Sequence, residues 1–244
     1  PLPTGATALR FDNDRFAAFD LYVLKRPGAE SEWDDASKAR ARRTLDGMSQ
    51  DEVDTLTRTL AAGLPGTTTD ALDLDAFRAR IAEYAGMDAA TARRNAIEFL
   101  AEVSPVAQSL GVRLTLHPDA PPRPLLGLPR IASTAADYAA LFVAVPVEAN
   151  GMCFCTGSLG VRPDNDLVGM VERFGPRIGF VHLRATKREA DPLSFHEAAH
   201  LDGDVDMVGV IAALMKVNRT RKPEEAIPFR PDHGHRMLDD LSKV

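Results

Sequence analysis

Four segments of this sequence end an apolar run on, or next to, a residue that could bind a metal ion. RLTLH ends on His117, GMCFC ends on Cys155, RIGFVHLR carries His182, and AIPFRPDHGH leads into Asp232. Each run is typical of a buried strand, and the carboxyl ends of parallel strands meet at the edge where α/β proteins place their chemistry. Two imidazoles, a thiolate and a carboxylate at that edge predict one metal site.

The ligand types limit which metal ions could bind, but they do not select one. Mixed imidazole, thiolate and carboxylate ligation suits zinc, iron(II), cobalt or manganese. A single histidine at a strand end is more often a hydrogen-bonded structural residue. Four such groups on four successive strands favour the metal site instead.

His196 to His200 matches the H-E-x-x-H pattern of zinc metalloproteases, in which one helical face carries both histidines. The surrounding sequence does not favour a long amphipathic helix, because Pro192 precedes the motif and Gly203 follows it. We expect a loop above the sheet instead, with Glu197 and His200 facing a polar substrate. The alternative is a solvated helix cap.

Two arginines flank the predicted metal ligands. Arg184 follows His182 by two residues, and Arg230 precedes Asp232 by two. A guanidinium there could hold a substrate carboxylate through two hydrogen bonds. The alternative for each arginine is a structural ion pair with an acidic residue of the site.

The first hundred residues are predicted to be mainly helical. Ser49 to Glu52 is a capping-box pattern that opens a helix ending at Gly63. LDAFRARIAEYAG has helical spacing, and a longer helix is expected from about Asp88 to Leu110, with Pro105 as a kink or break.

From Val112 onward the pattern alternates strand, loop and helix, which predicts a parallel sheet with right-handed crossovers. We predict an α/β fold, a TIM (β/α)8 barrel that is incomplete because only about four strands are apparent and a closed barrel needs eight. Residues 1–111 would form a mainly helical region that is inserted in the barrel or packed on it, and residues 112–244 would form the βα units of the partial barrel. The two parts together would make a single catalytic domain. The sequence is expected to be a central portion of a longer protein.

Composition excludes several classes of protein. A net charge of −6 argues against a nucleic-acid surface, which would need a basic face. No apolar run approaches the ~20 residues that span a bilayer. The two cysteines, Cys153 and Cys155, would face the same way on a strand, where a disulfide between them would be badly strained. Free thiols in an acidic chain predict a cytoplasmic protein.

Several longer motifs make the sequence resemble the mannonate dehydratase family. They are FCTGSLGVRPDNDLV, FGPRIGFVHLR, FHEAAHLDGDVDM, RPDHGHRMLDDL, HPDAPPRPLLGLPRI, LKRPGAE and AGLPG. They cover nearly the whole chain in matching order. The resemblance implies a xylose-isomerase-like TIM barrel that uses Mn2+ or Fe2+.

The resemblance also implies residue roles and a reaction. The family's metal ligands fall on His117, Cys155, His182 and Asp232, and its catalytic histidine falls on His233. The implied reaction converts D-mannonate to 2-keto-3-deoxy-D-gluconate and water, in the catabolism of glucuronate. We expect Arg184, Arg230, His200 and Glu197 to bind the sugar acid, and the protein to be a homo-oligomer, with a dimer as the expected form.

Two other functions are compatible with the same residues. A metal-dependent sugar isomerase or epimerase could use the same barrel, since metal-stabilised enediol chemistry serves both reactions. A protein fragment that only binds a metal or a sugar acid is the other alternative. The family's first barrel strands and its tyrosine-containing tail have no counterpart in residues 1–244, which keeps this alternative open.

Overall fold

The computed structural model describes residues 2, 4–62, 73–237 and 240. The strands in chain order are β1 Arg10–Phe11, β2 Leu114–Leu116, β3 Asn150–Cys155, β4 Ile178–Leu183, β5 Thr186–Arg188, β6 Phe195–Glu197 and β7 Phe229–Pro231. The helices are α1 Asn13–Ala18, α2 Ala29–Glu32, α3 Asp35–Asp46, α4 Gln50–Ala62, α5 Leu74–Ala82, α6 Ala89–Ser109, α7 Ala135–Ala144, α8 Thr156–Gly160, α9 Leu167–Phe174 and α10 Met207–Arg219. Within the described ranges, no helix is both long enough and apolar enough to cross a bilayer.

The chain divides into two compact units. The first unit contains Pro1–Arg10, Ala89–Arg123 and Arg130–Val244, and the second contains Phe11–Asp88 and Pro124–Pro129. Helix α6 therefore lies in the unit that holds the sheet, whereas the sequence grouped it with residues 1–111. The reason is its packing: Leu100 of α6 is buried with Leu141 and Val145, the side chains of α7 and its C-terminal cap.

The first unit is built on a parallel sheet whose strands lie side by side in chain order, β2, β3, β4 and β7. Helices α7, α9 and α10 connect or follow these strands, as in consecutive units of a (β/α)8 barrel. Among the described residues the sheet has four strands and does not close. The predicted fold class, a partial barrel with a mainly helical N-terminal region, is confirmed.

One face of this sheet carries the largest hydrophobic cluster among the described residues. Met152 and Phe154 of β3 are fully buried in a cluster with Ile178 and Val181 of β4 and with Val210 of α10. Because side chains alternate along a strand, Cys153 and Cys155 lie on the opposite face. The core therefore fixes which face of β3 presents its sulfur atoms.

A short antiparallel hairpin follows β4. Strands β5 and β6 pair with Thr186 opposite Glu197 and Lys187 opposite His196. The carbonyl of Leu9 accepts a hydrogen bond from the backbone N–H of Glu197. This hairpin brings the polar segment after β4 back over the sheet's carboxyl edge.

The described residues of the second unit are mainly helical. The capping box at Ser49 and Glu52 is present, although the predicted helix end at Gly63 lies outside the described residues. Its polar centre is a buried ion pair between Asp20 and Arg26, to which Trp33 Nε1 donates at 2.9 Å. In the first unit, α6 continues through Pro105 as one helix, so the predicted break does not occur.

Candidate metal centre

The parallel pairing of the strands brings the four predicted metal ligands to one edge of the sheet. Cys155 is opposite His182 in the register of β3 and β4, and His182 is opposite Arg230 in that of β4 and β7. His117 directly follows β2. The backbone N–H of Asp232 donates to Leu183 at 3.1 Å, which holds the residue beside the end of β4.

His117, Cys155 and His182 form the tighter part of this cluster. The Sγ atom of Cys155 and Nε2 of His117 each lie 3.4 Å from Nδ1 of His182. The ligand atoms of the three residues all lie within 4.8 Å of one another. That separation is short enough for one ion to contact all three, since metal–nitrogen and metal–sulfur bonds are about 2.0–2.3 Å long.

The opposite side of the His182 ring faces a second group. His182, Asp232 and His233 also offer ligand atoms within 4.8 Å of one another, and His182 Nε2 lies 3.6 Å from Oδ2 of Asp232. His182 therefore belongs to both groups. His117 and Cys155 lie nearest its Nδ1, and Asp232 lies nearest its Nε2.

The electrostatics favour a thiolate at Cys155. Burial raises the pKa of this thiol, but hydrogen bonds from His117, His182 and Ser158 outweigh burial and lower the pKa to about 5. The same contact with Cys155 raises the pKa of His117, against the opposing effect of burial. By contrast, burial raises the pKa of Cys153 to about 12. Of the two cysteines, only Cys155 is therefore expected to be a thiolate, and so an anionic ligand, at neutral pH.

The carboxylate of Asp232 is also held in its charged form. Its pKa is lowered by the backbone N–H of His233, and Arg230 adds to the effect from 3.0 Å. Arg230 is exposed, with 68% of its side chain accessible. Its guanidinium pairs with Asp232 and is still accessible to a ligand.

The donor set passes a test of fit for a divalent cation. His182 Nε2 is buried and has no hydrogen-bond partner, which is costly for a polar nitrogen unless another group binds it. Thiolate, imidazole and carboxylate are also the ligand types that first-row divalent metals share. These residues therefore fit a bound metal.

His233, the predicted catalytic residue, lies at the margin of this cluster. Its backbone has φ of 60°, a left-handed conformation uncommon for histidine, and its N–H donates to Asp232 at 2.8 Å. Its ring centroid is 5.2 Å from that of His182, and its Nδ1 lies 3.5 Å from Oε1 of Glu197. Burial lowers the pKa of His233, and the nearby Arg184 lowers it further. The imidazole is thus favoured in its neutral form.

Two of the predicted substrate-binding residues are buried and bind each other. The Nε of Arg184 donates to both carboxylate oxygens of Glu197, at 2.9 and 3.0 Å, and its Nη2 donates to Oε1. Only 3% of the Glu197 side chain is exposed. Of the other two candidates, Arg230 is exposed, and the ring of half-buried His200 reaches the carbonyl of Leu183 at 3.1 Å.

The segment after Cys155 has a larger role than its sequence indicates. The hydroxyl and backbone N–H of Ser158 contact Sγ of Cys155 at 3.3 and 3.4 Å. Thr156 bridges to Arg184, donating to its carbonyl at 2.6 Å and accepting from its N–H at 2.8 Å. A small hydroxyl residue directly after a strand-end cysteine was the available signal, but that combination is too common to be decisive alone.

The H-E-x-x-H segment is not helical. His196 and Glu197 belong to strand β6, and the residues after Ala198 form a turn. His196 Nδ1 lies 3.2 Å from Glu189, away from the cluster, whereas His200 contacts the end of β4. The metalloprotease arrangement requires both histidines on one helical face, which this geometry does not provide.

Comparison with known proteins agrees with the resemblance in the motifs. The family model described as D-mannonate dehydratase matches residues 1–244. A mannonate dehydratase from Brucella melitensis is 59% identical over 98% of this chain and 60% of its own length, and one from Chromohalobacter salexigens is 56% identical over 100% and 62%. The crystal structure of mannonate dehydratase from Streptococcus suis serotype 2 superposes with a TM-score of 0.59 at 32% identity, covering 66% of this chain and 45% of that one. The chain thus spans about 60% of the length of the curated relatives it matches.

Proposed function

Because this chain belongs to the D-mannonate dehydratase family, we propose that the complete protein containing it dehydrates D-mannonate to 2-keto-3-deoxy-D-gluconate. The protein would then be a hydro-lyase of glucuronate catabolism. The observation that carries the proposal is the meeting of His117, Cys155 and His182 within 4.8 Å at the carboxyl edge of the sheet, with Asp232 and His233 beside them. This edge is where barrel enzymes hold their substrates.

The proposed metal ligands are His117, Cys155, His182 and Asp232, and the proposed ion is Mn2+ or Fe2+. Iron(II) and manganese(II) both accept imidazole and carboxylate, and a single thiolate is compatible with either. When bound, such a cation would supply positive charge that stabilises the negative charge developing on the sugar acid as a proton leaves.

His233 is the proposed proton carrier. Dehydration of a sugar acid must remove a proton from the carbon next to the carboxylate and expel the hydroxyl of the following carbon. A neutral imidazole can accept the first proton at Nε2, because its Nδ1 is the nitrogen near Glu197, at 3.5 Å. The hydrogen bond from its backbone N–H to Asp232 keeps the imidazole next to a proposed metal ligand.

Arg230 is the substrate-binding candidate with the most accessible cation. Its side chain is exposed and stands beside Asp232, so it could hold the sugar carboxylate through two hydrogen bonds. The half-buried imidazole of His200 could reach a sugar hydroxyl. Direct contact of Arg184 and Glu197 with substrate stays a prediction, since both side chains are buried in their mutual ion pair.

We further propose that the protein works in the cytoplasm as a homodimer on a small sugar acid, without nucleic acid or membrane as a partner. The buried thiolate and the two unpaired cysteines support a reducing compartment. Sedimentation of the complete protein at several concentrations would test the dimer.

The decisive experiment assays the complete protein, loaded in turn with Mn2+ and Fe2+, on D-mannonate. We expect a 2-keto-3-deoxy acid and loss of one water per turnover. An isomer of the same mass as the substrate would instead identify a sugar isomerase or epimerase. Mannonate binding without any turnover, with metal present, would identify a binding protein and would refute the proposed activity.

A further inference from the structure

The pair formed by Arg184 and Glu197 lies where it can control His233. Oε1 of Glu197 accepts from both Nε and Nη2 of Arg184 and also lies 3.5 Å from His233 Nδ1. A carboxylate that accepts hydrogen bonds at both of its oxygens cannot rotate freely. The position of Oε1 is therefore set by the guanidinium and not by the histidine.

Residues that follow β3 fix the conformation of the Arg184 side chain. A Cβ at Gly157 would overlap Cβ, Cγ and Cδ of Arg184. The Arg184 side chain therefore passes directly over the backbone of Gly157, where only a glycine leaves room for it. The Nη1 atom of Arg184 donates to Ser158 at 3.3 Å. Ser158 in turn contacts Cys155, which connects the guanidinium to the candidate thiolate ligand.

The backbone around His233 is anchored to the same strand as Glu197. The ring of His235 reaches the carbonyl of Glu197 at 3.0 Å, and Arg236 pairs with Thr7 through two backbone hydrogen bonds. These contacts hold the backbone that follows His233 beside Glu197 and Thr7. A loosely held surface pair would lack this support.

We propose that Glu197, fixed by Arg184, is a positioning residue for His233: its carboxylate accepts the Nδ1 hydrogen and leaves Nε2 as the nitrogen that exchanges protons with substrate. This inference rests on the proposed function for the role of His233. A carboxylate on one ring nitrogen selects the tautomer and fixes the ring plane, as neighbouring groups do for other functional histidines. The positive charge of Arg184 balances Glu197, so His233 need not be charged to satisfy it.

The hairpin provides a matched control. Glu189 binds Arg10 through two hydrogen bonds, at 2.7 and 2.6 Å, and lies 3.2 Å from Nδ1 of His196. This is the same combination of arginine, glutamate and histidine, on the exposed side of the hairpin and outside the candidate site. Glu189→Gln removes the same charge from a similar trio, so it reports the effect of the substitution without the site.

The first measurement is the tautomer of His233 in the complete protein, without paramagnetic metal and with histidine side chains labelled with 15N. We expect His233 to carry its hydrogen on Nδ1 in the wild type and to shift toward the Nε2-protonated form in Glu197→Gln. His233→Asn identifies the signal by removing it. A wild-type His233 protonated on Nε2, or a tautomer that Glu197→Gln does not change, overturns the inference whether or not mannonate is dehydrated.

The second measurement separates kcat from KM in the metal-loaded complete protein. Glu197→Gln should lower kcat about 10- to 100-fold with KM unchanged within about twofold, while Glu189→Gln keeps both near wild type. A double substitution, Arg184→Met with Glu197→Gln, removes the guanidinium that the single change leaves poorly paired, and should show the same loss of kcat.

A raised KM with unchanged kcat would mean that Glu197 contacts the substrate instead, and overturns the inference. A wild type that produces no keto-deoxy acid refutes the proposed function, and the tautomer measurement then decides the positioning role.

Discussion

Cys155 and His182 are register partners on adjacent parallel strands, and the sulfur of one lies 3.4 Å from Nδ1 of the other. A parallel pair places residues of equal register at equal height, so two strand-end ligands meet without any loop to position them. The backbone of the sheet thus provides much of the site's geometry. This is why changes at these two positions should affect metal binding more than they affect folding.

Replacement of Cys155 by serine should weaken metal binding. The thiolate is lost while the volume changes little, and we expect affinity for Mn2+ or Fe2+ to fall about 100-fold or more, since even loss of a residue that only supports a ligand costs about 10- to 100-fold. Competition with a fluorescent chelator measures the affinity. Cys153→Ala on the same strand is the control and should bind metal like the wild type, because Cys153 belongs to neither group of candidate metal ligands. Equal weakening in both variants would contradict the assignment.

The thiol of Cys155 should titrate at low pH in the metal-free protein. Burial raises its pKa, but contacts with His117, His182 and Ser158 bring it to about 5, whereas a free thiol titrates near ~8.5. We expect ultraviolet thiolate absorbance to appear with a midpoint near pH 5 and to be absent in Cys155→Ser. A midpoint above about 8 would show that the histidines do not stabilise the thiolate.

The same shift makes stability depend on pH. Because the pKa of Cys155 is lower in the folded state, its contribution is fully present above the unfolded value of ~8.5 and is lost as pH falls toward about 5. The free energy of unfolding of the metal-free protein should therefore rise with pH across this window. Urea titrations should give a smaller rise for Cys155→Ser than for Cys153→Ala, and identical slopes would contradict the prediction.

The strand-end residues could be predicted from sequence because the signals are local. An apolar run of strand length ending on His117, Cys155 or His182 indicates both the strand and the end that carries the side chain. Parallel strands joined by helices then imply a common edge. The same local reasoning gave the partial barrel, since each βα unit has its own pattern.

The pairing of Arg184 with Glu197 could not be predicted in this way. It depends on a hairpin, β5 and β6, whose sequence TKREADPLSFHE is mostly polar and has little apolar alternation. Antiparallel pairing of such a segment is decided by tertiary packing instead of local preference. The same hairpin moved H-E-x-x-H onto a strand, where a motif search would have expected a helix.

Replacement of His233 by asparagine should remove catalysis and leave the metal bound. Loss of a proton-transferring imidazole typically costs about 10²- to 10⁴-fold in rate, and His233 is not among the proposed ligands. We expect kcat for formation of the 2-keto-3-deoxy acid to fall in that range, with metal content unchanged. His196→Asn, on the exposed side of the hairpin, should keep full activity. Wild-type turnover by a metal-loaded His233→Asn would exclude the role.

Replacement of Thr156 by valine should destabilise the protein through unpaired backbone groups. The hydroxyl of Thr156 both donates to the carbonyl and accepts from the N–H of Arg184, and the residue is fully buried. Valine keeps the shape and leaves both groups without this partner, which costs about 1–3 kcal/mol. Thr220→Val, at an exposed helix end, should change the free energy of unfolding by less than about 0.5 kcal/mol. Urea unfolding of both variants measures the difference, and equal effects would contradict the bridging role.

Replacement of Asp20 by asparagine tests the helical unit independently of the site. Asp20 is 1% exposed and accepts hydrogen bonds from Nε and Nη2 of Arg26, at 2.8 and 2.9 Å, and from Trp33. Breaking a buried pair leaves a charge without its partner and costs about 3 kcal/mol, although Glu32 still pairs with Arg26 and will recover part of this. Glu30→Gln removes an exposed carboxylate that lies 3.7 Å from Lys38 and should cost less than about 0.5 kcal/mol. If urea unfolding gave Asp20→Asn the stability of Glu30→Gln, the buried pair would contribute no more than a surface one, and the helical unit would depend on its apolar contacts alone.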